Sequence, residues 1–405
     1  MSRMIFRLCS LLCFALPALV AQNADEARRM RAEELSRKLI IVDTHIDAPD
    51  MLREHWEDIS KRTERGEFDY PRAKAGGLSA PFMAIYIPPE EEKQGTAKRT
   101  ADMLIDMVEG FAKSWPEKFA VAESPRDVTR IFKEGKISLC MGMENGAPIE
   151  NESDVQHYYE RGIRYVTLTH ARDNHICDSS YDTTRTWHGL SPFGKKLVLD
   201  LNRKGIMVDV SHISDDAFYQ VINISKAPVI ASHSACRFFT PGFERNMSDD
   251  MIKLLALNGG IIQMNFGSEF VSKAYRDRDS VIRGAIRDSL RANGLGDKDS
   301  VARAYARDYR KTHPIAHADI ADVVASIDHV VKLVGIDHVG IGSDFDGLGD
   351  ELPVGLEDVS KYPNLIYALL KAGYSDRDIE KICSGNILRV WSEVAEIARN
   401  LQSQH

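Results

Sequence analysis

Eight short runs of β-type apolar residues alternate with longer segments of helical period along the 405 residues, and this alternation limits the fold more than any other feature. The runs are Leu39 to Val42, Ala80 to Ile87, Ile137 to Met143, Tyr165 to Leu168, Ile206 to Val210, Val229 to Ala231, Gly260 to Asn265 and His338 to Gly342. Several are almost wholly apolar, as strands buried on both faces must be. Eight such strands with helical crossovers predict an α/β chain closed into a single (β/α)8 barrel of the TIM type rather than an open doubly wound sheet. Helices are expected over Thr100 to Lys113, Pro192 to Lys204, Ser248 to Leu257 and Ile320 to Leu333, several of them starting at a good capping residue. Ser272 to His317 breaks the rhythm: it is rich in Arg, Asp and Ala, has no strand signal and lies between the seventh and eighth strands. It reads as a helical insertion whose charges form a solvated face, placed where it could cover the barrel mouth.

Polar residues of metal-binding type stand directly after these runs. The first run leads into Asp43-Thr44-His45-Ile46-Asp47, in which His45 and Asp47 share one face of an extended chain. A lone His-x-Asp pair is more often a hydrogen-bonded surface pair than a ligand pair. The third run ends in Glu144, a carboxylate that would be costly to bury without a partner. The next three deliver His170, His212 and His233, and the eighth leads to Asp344 and Asp346. Any one of these histidines reads most simply as a satisfied core residue, and Asp346-Gly347 as a turn. Taken together, His45, Asp47, Glu144, His212, His233 and Asp344, with His170 nearby, converge on the C-terminal end of one barrel. Six groups exceed the needs of one tetrahedral zinc and suit two ions sharing a bridging carboxylate. Histidine and carboxylate donors without thiolates favour zinc, with manganese, cobalt or nickel as substitutes.

Other features narrow the class. Arg3 and Arg7 precede the apolar run Leu8 to Val20, and Ala21 is followed by polar residues. That pattern reads as a cleaved signal peptide over 1–21, and 22–405 is expected to form one domain, exported to the periplasm or secreted, without a stable membrane anchor. A formal net charge of −8 argues against a nucleic-acid partner. Cys140, Cys177, Cys236 and Cys383 remain after the leader, with no C-x-x-C pair, so a thiolate zinc site is not expected and disulfides stay open.

These residues resemble the membrane dipeptidase (renal dipeptidase) family of metallopeptidases, an amidohydrolase-like barrel. The resemblance rests on Asp43-Thr44-His45-Ile46-Asp47, Met143-Glu144-Asn145-Gly146, Leu168-Thr169-His170, Gly189 to Gly194, Val208 to His212, Ser232-His233-Ser234, Arg245-Asn246 and Gly342 to Gly347, in that order over almost the whole mature chain. It implies two Zn2+ per subunit, one on His45 and Asp47, the other on His212 and His233, bridged by Glu144. It further implies that His170 and Arg245 bind substrate, with Arg245 on the C-terminal carboxylate of a dipeptide, and that Asp344 sits near the substrate amine. Without the resemblance Arg245 reads as a surface charge. The expected reaction is dipeptide hydrolysis by a hydroxide bridging the metals, with Asp344 moving the proton and His170 stabilising the oxyanion. Two departures, Thr44 and Ile46 where relatives often have Gly and Asn, keep the ligands but bear on substrate preference. Hydrolysis of another small amide, a lactone or a β-lactam on the same metal pair is the alternative, and a non-catalytic metal-binding protein a more distant one. The resemblance also raises a homodimer as an expectation.

Overall fold

The computed structural model describes residues 23–295 and 300–403, so the expected signal peptide over 1–21 lies outside the described residues. Its nine strands are β1 (Ile41–Ile46), β2 (Leu78–Tyr86), β3 (Phe119–Val121), β4 (Ile137–Glu144), β5 (Ile163–Thr167), β6 (Met207–Asp209), β7 (Ile230–Ser234), β8 (Ile261–Met264) and β9 (Val339–Ile341). All strand pairs are parallel, in the order β1-β2-β4-β5-β6-β7-β8-β9. The two ends of that path meet at a parallel bridge between Ile46 and Phe345, so eight strands form a nearly closed barrel surrounded by helices. The three-residue β3, absent from the sequence expectation, pairs only with the start of β4.

Both faces of the strands are covered, which is why their sequences are apolar without alternation: every residue of β1, β4, β5 and β7 is buried. Inside, the first halves of the strands contribute Val42, Phe82, Cys140, Tyr165, Met207 and Ile230 to one cluster. The helix Asn386–Gln402 adds Ile387, Val390, Trp391 and Val394 to the same cluster and thereby closes the N-terminal end of the barrel. Trp391 stands 5.3 Å, centroid to centroid, from Phe82. A Cβ on Gly142 would fall 2.0 Å from the Tyr165 ring, so only glycine lets that ring cross the barrel.

Three of the four expected helices begin where the sequence places them, and the fourth, expected from Thr100, begins at Ala97. Ser191 caps Pro192–Lys204, Ser248 caps Asp249–Leu257, and Asp319 and Asp322 form a capping box on Ile320–Val334. The insertion contains two helices, Lys273–Ala292 and Ser300–Thr312, joined by a small apolar cluster of Ile282, Ile286, Leu290 and Ala302. Cys140, Cys177, Cys236 and Cys383 are buried free thiols. Among the described residues no helix is long and apolar enough to cross a membrane.

Candidate active site

Parallel strands deliver their following residues to one end of a barrel, and here that end carries every residue expected at the site. His45 lies within β1 and Asp47 just past it, at the N-terminus of helix Ala48–Glu54. Glu144 is the last residue of β4. His170 and His212 each stand three residues beyond their strands, whereas His233 lies inside β7 rather than after it. The ends of β1 and β9 are locked together by Asp47 N donating to Phe345 O (2.8 Å) and Asp344 N donating to His45 O (3.1 Å), which sets Asp47 and Asp344 side by side.

Ligand-type atoms of His45, Glu144 and His233 lie within 4.8 Å of one another, as do those of Glu144, His170 and His212, and those of His45, Asp47 and Asp344. The two oxygens of Glu144 face different neighbours. Oε2 is 3.5 Å from His45 Nε2, which is itself 3.4 Å from Asp47 Oδ2. Oε1 is 3.0 Å from His212 Nε2 and 3.3 Å from His233 Nε2. Adjacent donors on a tetrahedral zinc with bonds of about 2.0–2.1 Å stand about 3.4 Å apart, so most of these separations already match the edges of such a site. The 2.8 Å between His212 Nε2 and His233 Nε2 is tighter. His45 Nε2 is buried without a hydrogen-bond partner, as a donor atom awaiting a metal would be. These residues therefore fit metal binding.

The partners of the ring nitrogens fix which atoms face the cluster. Ser232 Oγ donates to Asp209 Oδ2 (2.6 Å) and so accepts from His233 Nδ1 (2.7 Å), which leaves His233 Nε2 bare. Asp209 also accepts from Ser211 N and Ser232 N, which pins the turn after β6 to β7. His212 (φ 69°) and Asp344 (φ 67°) occupy the left-handed region, a strain of about 1–2 kcal/mol at each that the surrounding bonds must hold.

Electrostatics follow from burial and crowding. Burial and Arg245 depress the pKa of His212, and burial and His45 that of His233, well below the usual histidine range, so both are neutral and able to ligate. Burial opposes the charge on Glu144, but His45 and His170 hold its carboxyl well below the usual range. Burial opposes a charge on His45 as well, and there Tyr165, Glu144 and Asp47 outweigh it and raise its pKa. Asp344 is raised by burial and then by Asp47. His170 is lowered, mainly by burial.

Arg245 is not the surface charge that its sequence context alone suggests. It is buried at 3% exposure, donating to Ser234 Oγ and to His233 O at 2.8 Å each, with Nη2 3.0 Å from His212 Nε2. Its Nε is buried without a partner, and no carboxylate pairs with it among the described residues. Asp346 lies in the expected turn with Gly347 and also makes a contact across the fold. Its backbone N and Oδ1 bond reciprocally with Glu67, while Oδ2 is buried without a partner, and burial raises its pKa.

A cavity of about 620 Å³ opens over the cluster. Its wall includes residues that sequence reasoning missed: Tyr86, Tyr181, Glu269, Arg283 and Glu351. Arg283 comes from the insertion, so that segment does reach the barrel mouth. Tyr86 lies edge-on to His170 at 4.9 Å. None of these has a motif of its own; only the pairing of distant segments brings them here.

Comparisons with known proteins give the family of the chain. The model of a family described as membrane dipeptidase, peptidase family M19, matches residues 29–405. Dipeptidase tcpJ of Claviceps purpurea is 33% identical over 370 residues, covering 88% of this chain and 77% of that one. The crystal structure of the probable dipeptidase PvdM from Pseudomonas aeruginosa superposes with a TM-score of 0.81 at 30% identity, over 92% of this chain and 99% of that one. The dipeptidase AC, a metallopeptidase of family M19, gives a TM-score of 0.72 at 25% identity over 88% of this chain and 98% of that one. The chain thus belongs to the membrane dipeptidase family, peptidase family M19, and is a hydrolase acting on peptide bonds.

Proposed function

We propose that the chain is a zinc-dependent dipeptidase of free dipeptides, with one zinc on His45 and Asp47, a second on His212 and His233, and Glu144 shared between them. The observation that carries the substrate class is Arg245: a buried guanidinium that donates to Ser234 Oγ and the His233 carbonyl and forms no ion pair among the described residues. Such a charge is costly unless a ligand supplies the anion, and the C-terminal carboxylate of a dipeptide matches its planar fork. The cavity is of the size that small-molecule substrates occupy.

Zinc held by these residues would supply Lewis acidity, the chemistry that lowers the pKa of a water and polarises a carbonyl. The chain's own groups do the rest. Arg245 orients the substrate by its carboxylate. His170, kept neutral by burial, donates a hydrogen bond to the carbonyl oxygen as charge develops there. Asp344, oriented by Asn265 Nδ2 at 2.8 Å, takes the proton of the attacking water and returns it to the leaving amine, so that amide and water become amine and carboxylate. We further propose that the protein is exported, on the strength of the leader-like sequence over 1–21.

The test is hydrolysis of L,L and L,D dipeptides by the purified protein, before and after chelation and after zinc is restored. Zinc-restored cleavage of free dipeptides, with N-blocked ones untouched, is the expected result. A folded, metal-loaded protein inert on the whole panel would transfer the site to another small amide, a lactone or a β-lactam.

A further inference from the structure

Asp209, the last residue of β6, is wholly buried and forms no ion pair among the described residues. Four neutral donors surround its carboxyl group. Oδ1 accepts from Ser211 N and Ser232 N, and Oδ2 accepts from Ser232 Oγ and Thr167 Oγ1. A carboxyl proton would have no acceptor to point at, so the geometry is that of a carboxylate. Hydrogen bonds hold such an anion in place without neutralising it, and a lone charge in a barrel interior is costly unless a cation stands near.

The two halves of the ligand cluster differ in charge. His45 has the Asp47 carboxylate 3.4 Å away. His212 and His233 bring no charge as ligands, and the Arg245 guanidinium lies 3.0 Å from His212 Nε2. A cation on those two imidazoles would be repelled by Arg245, with only a share of Glu144 to offset it. Asp209 places an anion behind His233, at the far end of the Ser232 hydroxyl. The connection also has a direction. An amide in place of this carboxylate would donate to Ser232 Oγ and free that hydroxyl to donate to His233 Nδ1. The imidazole proton would then move to Nε2, the atom that faces Glu144.

We propose that Asp209 is a positioning residue for the metal on His212 and His233 alone: acting through Ser232, it fixes the donor atom of His233 and supplies the negative charge which that half of the site lacks. The inference rests on the two-zinc reading. No charged group stands in the same place behind His45, whose Nδ1 faces the neutral Tyr165 hydroxyl. The two ions therefore depend on different buried groups, and one of them can be weakened without the other.

The experiment measures the zinc content of the protein across a series of buffered free-zinc concentrations, for the natural chain, Asp209→Asn, Ser232→Ala and Ser232→Thr, each with and without His212→Ala. In Asp209→Asn one ion should bind about 10- to 100-fold more weakly, and the other should stay within about twofold of the natural chain. Ser232→Ala should weaken the same ion, and Ser232→Thr, which keeps the hydroxyl, should restore it. Beside His212→Ala, Asp209→Asn should no longer alter the ion that remains. Equal weakening of both ions, two unchanged affinities, or an effect that persists beside His212→Ala overturns the proposal. The melting temperature of the metal-free chain separates this from general damage. It should hold or rise in Asp209→Asn, which removes a buried charge while the hydroxyl partners can turn to remake its bonds; a fall would make Asp209 a structural residue only. If Asp209→Asn does not fold, the two Ser232 variants decide. A natural chain that binds one zinc or none overturns the two-zinc reading itself.

Discussion

The Tyr165 hydroxyl lies 2.8 Å from His45 Nδ1 and donates to the Thr44 carbonyl at 3.0 Å, so it is left to accept from the imidazole. That bond puts the proton on Nδ1 and leaves Nε2 bare toward Glu144 and Asp47. Replacing Tyr165 with Phe keeps the ring and removes only this restraint. Metal affinity should drop by roughly 10- to 100-fold, read by competition with a chromogenic chelator. Unchanged affinity would make Tyr165 a packing residue and nothing more.

Gly347 lies against the carboxylates it serves. A Cβ there would sit 2.4 Å from Asp47 Oδ2 and 2.6 Å from Asp344 Oδ1. Gly347→Ala should lower kcat by roughly 100-fold through displacement of these groups, with little loss of thermal stability. Steady-state kinetics beside a melting curve separates this from general damage.

Removing the Arg245 guanidinium should act on substrates that carry a free carboxylate. Arg245→Ala should reduce kcat/KM for dipeptides by roughly 10²- to 10³-fold, and far less for a dipeptide amide, since loss of a charge-assisted pair costs about 2–4 kcal/mol. Equal losses on both would count against the carboxylate role.

Glu351, in the cavity wall, gives a stability signature that is independent of turnover. Burial, and next the Asp279 charge, lift its pKa to about 7 against 4.5 for the free side chain. The folded state therefore binds the proton more tightly, and the stability this brings is complete below the unfolded value and is lost as pH rises through about 7. The melting temperature of the natural chain should carry a downward component between about pH 5 and pH 7 that Glu351→Gln lacks. Parallel pH profiles for the two proteins would contradict this.

Trp391 is the largest side chain in the barrel floor and is almost wholly buried, at 1% exposure. Trp391→Ala should cost about 3–5 kcal/mol, measured by denaturant unfolding, because no neighbour can collapse into so large a void.

The barrel was legible because each strand is short, apolar and bounded, and because its chemistry follows it directly in the chain. His45, Glu144, His170 and Asp344 each follow an apolar run, and their joint placement, not any one of them alone, marks them out. The rest depends on which strands become neighbours. Tyr165 looks like any aromatic strand residue until β5 places it against His45, 120 positions away. Arg245 sits in an irregular stretch between β7 and helix Asp249–Leu257, where neither period nor motif reveals burial, and only the family resemblance singled it out. Asp346 and Gly347 form the turn that their sequence suggests, but the bond from Glu67 N to Asp346, 279 positions away, leaves no trace in it. The three-residue β3 is too short to show a pattern. The ion pairs that join the insertion to the cavity wall, such as Arg283 with Glu269, are invisible for the same reason: a run of charges looks alike whether it faces solvent or another segment.

Helix Asn386–Gln402, which closes the barrel floor, follows every strand in the chain. During synthesis the floor is thus the last part of the interior to emerge. Until then Phe82 and Tyr165 have no cover beneath them, and the native core cannot be completed. A chain that lacked this helix would leave the Phe82 ring without the Trp391 indole that packs 5.3 Å from it.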